Sequence, residues 1–240
     1  MADNRDTAVI IGAGPDLGSA LARRFARAGM TVIAARRTPD KLAPLAKELG
    51  GRLRTAACDA TDEQAVKELF AQAAGAGALR LVVYNVGAFV RKGVLDTEAE
   101  EFERCWRALC LGGFLVGREA ARVMLAAGGE RRHRGTIIFT GATASLRGGA
   151  NFHNLAVGKF GLRAFSQSMA REFQPRGIHV AHAIIDGQIE SGRAGRSVAE
   201  RGADAVLSPD AIAESYYQLH LQPPSAWTLE LDLRPYVEKF

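Results

Sequence analysis

The stretch TAVIIGAGPDLGSALARRFARAG, Thr7 to Gly29, changes its periodicity twice within one short segment. An apolar block reads as a buried strand, glycines follow as a tight turn, and Leu17, Leu21 and Phe25 then recur at helical spacing with alanines between them. Strand, glycine-rich turn, helix is the order that brings backbone N–H groups and a helix N-terminus to an anionic group. Gly12 and Gly14 in the turn, and Leu17 and Gly18 opening the helix, are therefore candidate ligands of a pyrophosphate.

Working outward, the same alternation continues. MTVIAARR reads as a second strand, TPDKLAPLAKELG as a helix closed by Gly50, and RLRTAAC as a third strand. TDEQAVKELFAQAAG reads as a helix opened by a Thr or Asp cap, and LRLVVYN as a fourth strand. A helical stretch from about Thr97 to Ala127, the strand GTIIFT, a helix from Asn151 to Gln174 and the strand GIHVAHAII complete the alternation. This order predicts an α/β fold with a parallel, doubly wound sheet. No linker, repeat or low-complexity tract divides the chain, so residues 1–240 are expected to form one domain. Helix breakers accumulate from Asp186 to Asp204, and residues 188–208 are long and polar enough for a mobile lid over a site. The helix SPDAIAESYYQLHLQ, with Pro209 in its first turn, and a strand-like TLELDLRP end the sequence.

Composition narrows the class. Of the 240 residues 48% are hydrophobic and 24% charged, as in a globular protein, and every long apolar run is interrupted before it could span a membrane. The start, MADNRDTAVII, lacks the basic flank and cleavage site of a secretory signal, so a cytoplasmic location is expected. Cys58, Cys105 and Cys110 are an odd set without CxxC spacing, which speaks for buried free thiols over disulfides or a metal site. The formal charge of +5 is densest in GERRHRG, Gly129 to Gly135, but without interleaved aromatics this reads as a solvated loop, not a nucleic-acid surface. Positive charge also suits a phosphorylated cofactor.

Three features fall at strand ends: the glycines after the first strand, Asp59 after the third, and YNVG, Tyr84 to Gly87, after the fourth. With these the sequence resembles the short-chain dehydrogenase/reductase family over nearly its whole length, which implies a single-domain Rossmann-type fold, an oxidoreductase activity on a small carbonyl or alcohol, and a nicotinamide dinucleotide. The family's Gly-xxx-Gly-x-Gly spacing falls on Gly12, position 16 and Gly18. Its adenine-binding acid matches Asp59, and its Asn-Ala-Gly motif is similar to Asn85, Val86 and Gly87. Position 16 is Asp16, which reads either as the N-cap of the helix at Leu17 or as a carboxylate beside the pyrophosphate; both can hold. The second strand ends in Arg36 and Arg37 with no acid to accept a ribose 2′-OH, so NADP(H) is expected over NAD(H); a solvated basic helix start is the other reading.

The resemblance also implies a Ser, Tyr and Lys set with an Asn on the middle helix. Lys159, in HNLAVGKF, matches the lysine that holds the nicotinamide ribose, but the tyrosine position four residues earlier is Leu155. The serine position is Ala142 and the asparagine position is Cys110, which reads as a small packed residue and not a nucleophile. The tyrosine position of the related enoyl reductases is Phe152. Thr140, Thr143 or Ser145 can offer a hydroxyl near Ala142, or satisfy local backbone instead. His153 is expected to be solvated or at an interface, facing away from Leu155, since two residues turn a helix by about 200°. The family's Pro-Gly-x-x-x-Thr segment is matched by Asp186, Gly187 and Ser191; Asp186 is an alternative proton carrier or a turn-forming residue. Expectation therefore divides between a dehydrogenase with unusual proton transfer and a non-catalytic dinucleotide-binding scaffold or sensor. The resemblance further implies a homodimer or homotetramer.

Overall fold

The apolar block Asp6–Ile11 forms strand β1, and its alternate residues feed two cores. Val9 and Ile11 face one helical layer, while Ala8 and Ile10 face the other. Burial on both sides is why the strand reads as a continuous apolar run and not as an alternation with polar residues. The computed structural model describes residues 6–127, 132–192, 195, 197–202 and 204–238.

The other strands are β2 (Thr31–Arg36), β3 (Leu53–Ala57), β4 (Ala78–Tyr84), β5 (Gly135–Thr140), β6 (Ile178–Ile185) and β7 (Glu230–Leu233). They form one sheet in the order β3-β2-β1-β4-β5-β6-β7, with every pair parallel. The order reverses between β1 and β4, the switch point where open α/β sheets leave a crevice at their carboxyl edge.

Helices α1 (Leu17–Arg27), α2 (Ala43–Leu49) and α3 (Glu63–Ala76) make the first crossovers. The expected middle helix is α4 (Ala99–Trp106) and α5 (Gly112–Ala126), joined through a π turn at Arg107–Leu111 that contains Cys110. Then follow α6 (His153–Phe173), the short α7 (Val198–Arg201) and α8 (Pro209–Leu221). On α1, Leu17, Leu21 and Phe25 are buried against the sheet; burying such a side chain stabilises by about 1.5–3 kcal/mol. Asp62 caps α3 by accepting from the backbone N–H groups of Gln64 and Ala65, as expected from its place before the helix.

The segment 188–208 is partly ordered by its own backbone. Leu207 N donates to Gln188 O at 2.8 Å and Glu190 N to Leu207 O at 2.9 Å, and Ser197 caps α7. Residues 193, 194, 196 and 203 of that stretch lie outside the described residues. So do residues 129–131 of the basic cluster. The expectation of a solvated loop is corrected at His133, which is half-buried with its ring 5.7 Å from those of His220 and Trp227. Cys58 and Cys105 are buried and Cys110 half-buried, all as free thiols. Among the described residues no helix is long and apolar enough to cross a membrane, and no cluster of His, Cys, Asp or Glu could hold a metal.

Candidate active site

At the switch point the ends of β1 and β4 touch through their backbones. Gly12 has φ +82°, and a Cβ there would lie 2.6 Å from Asn85 O. Asn85 N donates to Ile11 O at 2.8 Å, and its side-chain amide donates to Gly12 O at 3.2 Å. Gly18 is equally constrained, since its Cβ would come within 2.7 Å of Ala13 Cα. These two glycines are required by packing of the chain on itself. Gly14 differs: a Cβ there would meet nothing within 4 Å, so open space lies above the turn at the start of α1. Gly87 is similarly open.

Asp16 occupies the N-cap position of α1, but its side chain makes no capping hydrogen bond. The side-chain cap is therefore a corrected expectation: ψ of −110° departs from the extended geometry of a usual cap, and Ser19 Oγ ties the turn instead by donating to Gly14 O at 2.8 Å. Arg36, at the end of β2, donates to Ala13 O at 3.3 Å, which lays its guanidinium beside the same turn. Arg37 is exposed. Asp59 accepts from Thr61 N at 2.9 Å and from Thr61 Oγ1 at 2.8 Å. Partial burial pushes the Asp59 carboxyl up, but the two Thr61 bonds, with Arg37 and Arg107 nearby, leave it below its ordinary range.

Lys159 reaches from α6 to the ends of β4 and β5. Its Nζ donates to Thr140 O at 2.7 Å and to Val86 O at 3.3 Å, and the residue is only 5% exposed. Burial pushes its amine down to about 8. Leu155, one turn earlier on the helix, is half-buried.

The three candidate hydroxyls at and just beyond the end of β5 have three different partners. Thr140 Oγ1 accepts from Tyr216 Oη at 3.0 Å; Tyr216 is far away in sequence and belongs to the core of the α1 and α8 face. Ser145 Oγ accepts from Ala142 N at 3.1 Å and lies 3.4 Å from His182 Nε2. Thr143 Oγ1 donates to Asp186 Oδ1 at 2.5 Å. Asp186 is 3% exposed, with Arg234 Nη2 lying 3.4 Å from its second oxygen. It is thus a buried, paired carboxylate and more than a turn former. Gly187 follows with φ +151°, and a Cβ there would lie 2.8 Å from Pro235 Cδ. Ser191 is half-buried.

Cys110 and His153 are both packed between helices. Burial raises the Cys110 thiol above its ordinary pKa, and a Cβ at Gly161 would lie 2.7 Å from its Sγ, so Cys110 fills space between helices. His153 is not solvated: both ring nitrogens are buried, and the ring stacks 6.2 Å from Phe102 of α4. Helix packing across α4 and α6 outweighs the polar preference of an isolated imidazole there.

Some groups at this edge escape a reading by sequence. His182 is fully buried on β6, where burial, with Lys159 nearby, pushes its imidazole down to about 4. Two histidines inside the otherwise apolar IHVAHAII are the signal that was available. Asn154, 1% exposed, donates to Val90 O at 2.6 Å and pins the chain after β4 to the start of α6. Arg234 carried no signal, because nothing near it in sequence shows which carboxylate the sheet will bring to it.

The comparisons with known proteins agree with this architecture. The short chain dehydrogenase family model matches residues 6–202. The uncharacterized oxidoreductase YuxG of Bacillus subtilis (strain 168) is 30% identical over 223 residues, which cover 89% of this chain and 32% of YuxG. Tasselseed-2, a sex determination protein of Zea mays, is 28% identical, with 72% of this chain and 52% of that protein covered. The chain thus spans between a third and about half of the length of these two curated relatives. Sorbitol-6-phosphate 2-dehydrogenase of Escherichia coli (strain K12) is 28% identical, covering 88% of this chain and 82% of that enzyme. Among solved structures, a short-chain dehydrogenase from Rhodopseudomonas palustris superposes with a TM-score of 0.83 at 44% identity, covering 96% of this chain and 99% of that one. A metagenomic short-chain oxidoreductase in complex with NADP has the same fold, with a TM-score of 0.80 at 23% identity and coverage of 99% of this chain and 100% of the other. With a family model matched across most of its length and a solved relative aligned almost end to end, the chain belongs to the short-chain dehydrogenase family of oxidoreductases.

Proposed function

We propose that this protein is an NADP(H)-linked oxidoreductase of small carbonyls or alcohols whose proton transfer does not follow the family's tyrosine route. The observation that carries the reading is Lys159: a buried amine held by Val86 O and Thr140 O, with Leu155 where the family's tyrosine would stand. The residues fit a dinucleotide. The open space over Gly14 lies at the N-terminus of α1, where the backbone at Leu17 and Gly18 favours a pyrophosphate. Arg36 and Arg37 suit a 2′-phosphate, Asp59 the adenine, Asn85 and Gly87 the β4 side, Lys159 a ribose, and Gly187 with Ser191 the nicotinamide end. Bound there, NADP(H) supplies the hydride donor or acceptor. Asp16 places a carboxylate near this cradle and weakens it, and the described part of 188–208 serves as the lid.

Two NADP(H) complexes of similar fold, the metagenomic oxidoreductase and actinorhodin polyketide ketoreductase, support the choice of cofactor. Exposed Trp106 and Phe114 on the middle helix, with Val157 and Phe160 on α6, support assembly as a homodimer or homotetramer. A second reading, a dinucleotide-binding scaffold or sensor without turnover, is favoured by Ala142 and Leu155 at the serine and tyrosine positions.

Thermal-shift titration with NADPH and NADH tests binding and preference; an equal shift for both sinks the NADP(H) assignment. NADPH consumption over a carbonyl and enone panel then separates enzyme from scaffold. The pair Leu155→Tyr and Ala142→Ser is expected to create or raise carbonyl reduction, by up to about a hundredfold for a positioned general acid. Binding without turnover in either form assigns the chain to the scaffold reading.

A further inference from the structure

The end of β6 holds a polar arrangement that cofactor binding does not require. Thr143 Oγ1 donates to Asp186 Oδ1 at 2.5 Å, and Arg234 Nη2 stands 3.4 Å from the second oxygen. Three chain segments are needed to build it. Thr143 comes from the turn after β5, Asp186 follows β6, and Arg234 follows β7. Their register is set by Asp186 N donating to Leu233 O at 2.8 Å. Arg234 is oriented further by Asp232, and β7 is anchored at its other end by Glu230, which takes both arms of Arg163 at 2.7 and 2.8 Å. A carboxylate 3% exposed is tolerated only when charge and hydrogen bonds compensate it, and this arrangement supplies both.

The hydrogen bond runs from the Thr143 hydroxyl to the Asp186 carboxylate. A carboxylate can only accept, so the proton between the two groups belongs to Thr143. Thr143 is half-buried, and with its proton committed to Asp186 its oxygen keeps lone pairs that can accept from a substrate hydroxyl. Such a hydroxyl is set to receive a proton from a substrate hydroxyl, and it can pass its own to the carboxylate at once.

We propose that Thr143 and Asp186 form a proton relay for oxidation of a secondary alcohol, with Arg234 as the positioning residue; this rests on the reading of the edge as a dinucleotide-dependent site. In the step, the substrate O–H proton moves to Thr143 Oγ1 while the Thr143 proton moves to Asp186 Oδ1. The carbinol C–H bond breaks, its electron pair leaves as hydride to an oxidised nicotinamide dinucleotide, and the C–O single bond becomes a carbonyl. The alcohol is oxidised, the dinucleotide is reduced, and the proton left on Asp186 is returned to water.

The test uses the full chain with NADP+ and three probes: 2-butanol, cyclohexanol and 1-phenylethanol. NADP+ affinity is followed separately by tryptophan fluorescence. Wild type is expected to bind NADP+ and form NADPH with at least one alcohol, with a solvent deuterium isotope effect on kcat. Asp186→Asn should lower kcat by about a hundredfold or more, abolish that isotope effect and leave NADP+ affinity within about twofold. Thr143→Val should fall as far, and Thr143→Ser, which keeps the hydroxyl, far less. Arg234→Met should reduce kcat with little change in KM, and Arg234→Lys should recover part of it. Circular dichroism confirms that each variant is folded, and the Ser and Val pair at Thr143 leaves the buried carboxylate intact. Rates of Asp186→Asn or Thr143→Val within about threefold of wild type overturn the relay. So does a wild type that binds NADP+ and oxidises none of the three, in which case the dinucleotide reading survives. A wild type that does not bind NADP+ overturns both.

Discussion

At the ends of β1, β2 and β4 close backbone approach at glycines shapes the chain, whereas at the ends of β5, β6 and β7 side-chain networks are added to the backbone bonds. On the first side, Gly12 N and Ala13 N donate to Ala35 O, Asn85 N donates to Ile11 O, and glycines permit the close approach. On the second, Thr143, Asp186 and Arg234 form one network, Ser145 and His182 another, and Arg163 with Glu230 a third. Backbone geometry tolerates few residues, so the first side keeps its glycines. A side-chain network can be exchanged for another of similar shape and charge balance, which makes the second side the place where a proton route can change while the fold is retained.

Acid should break the two sides apart most strongly. The imidazoles of His182 and His220, both buried and both in the half containing β5, β6 and α8, are pushed down to about 4, mainly by burial. Each folded value lies below the unfolded one, so the associated stability is fully present above about pH 6.5 and is lost as pH falls through about 4. Each group is worth up to about 3 kcal/mol. Urea unfolding from pH 7 to pH 4 should show a loss of several kcal/mol, and hydrogen exchange should find β5 and β6 opening before β1 and β2. Uniform exchange across the sheet would refute the division.

Gly12→Ala attacks the backbone side. The substitution forces a side chain into positive φ and to 2.6 Å from Asn85 O, at a cost of about 3 kcal/mol or more. For a chain of this size the melting temperature should fall by about 6–12 °C. An unchanged melting temperature would show that the turn can relax.

Lys159→Met probes the group that joins both sides. The lysine's folded pKa of about 8 lies below its unfolded value, so its contribution is favourable above about pH 10.5 and is lost as pH falls through about 8. At pH 7 keeping the buried amine charged costs on the order of 3 kcal/mol, net of its two carbonyl bonds. The variant should therefore be more stable at pH 7 by about 1–2 kcal/mol while losing dinucleotide affinity, a trade typical of functional groups. Calorimetry and an NADPH titration on the same sample check both halves.

Asp16→Gly should give the smallest effect. Removing a hydrated charge near the pyrophosphate is worth about 1 kcal/mol, or roughly a fivefold gain in NADPH affinity. Because the Asp16 side chain makes no capping bond, stability should change little. A large loss of stability would restore the capping role that the structure does not support.

Legibility in the sequence follows the same division. β5 was readable to its last residue, since GTIIFT is apolar and bounded by a glycine, and Asp62 was readable as a cap from its position before α3. Asp16 looked equally suited to cap α1, yet its backbone angles are not those of a usual cap and its side chain makes no capping bond. His153 looked polar enough for solvent, yet α4 covers it. Local rules describe what a residue prefers, and packing between distant elements decides whether it is allowed that preference.

By itself the sequence determined the doubly wound sheet, the glycine turn at its carboxyl edge, the arginines at the end of β2, and the spacing that leaves Leu155 one turn before Lys159. These depend on short-range periodicity and on backbone shape, which neighbouring residues specify. Only the tertiary structure decided that Thr143 bonds Asp186 and that Arg234 stands beside it. Parallel strands bring together residues from opposite ends of a crossover, so these partnerships are settled by sheet register and not by any local pattern.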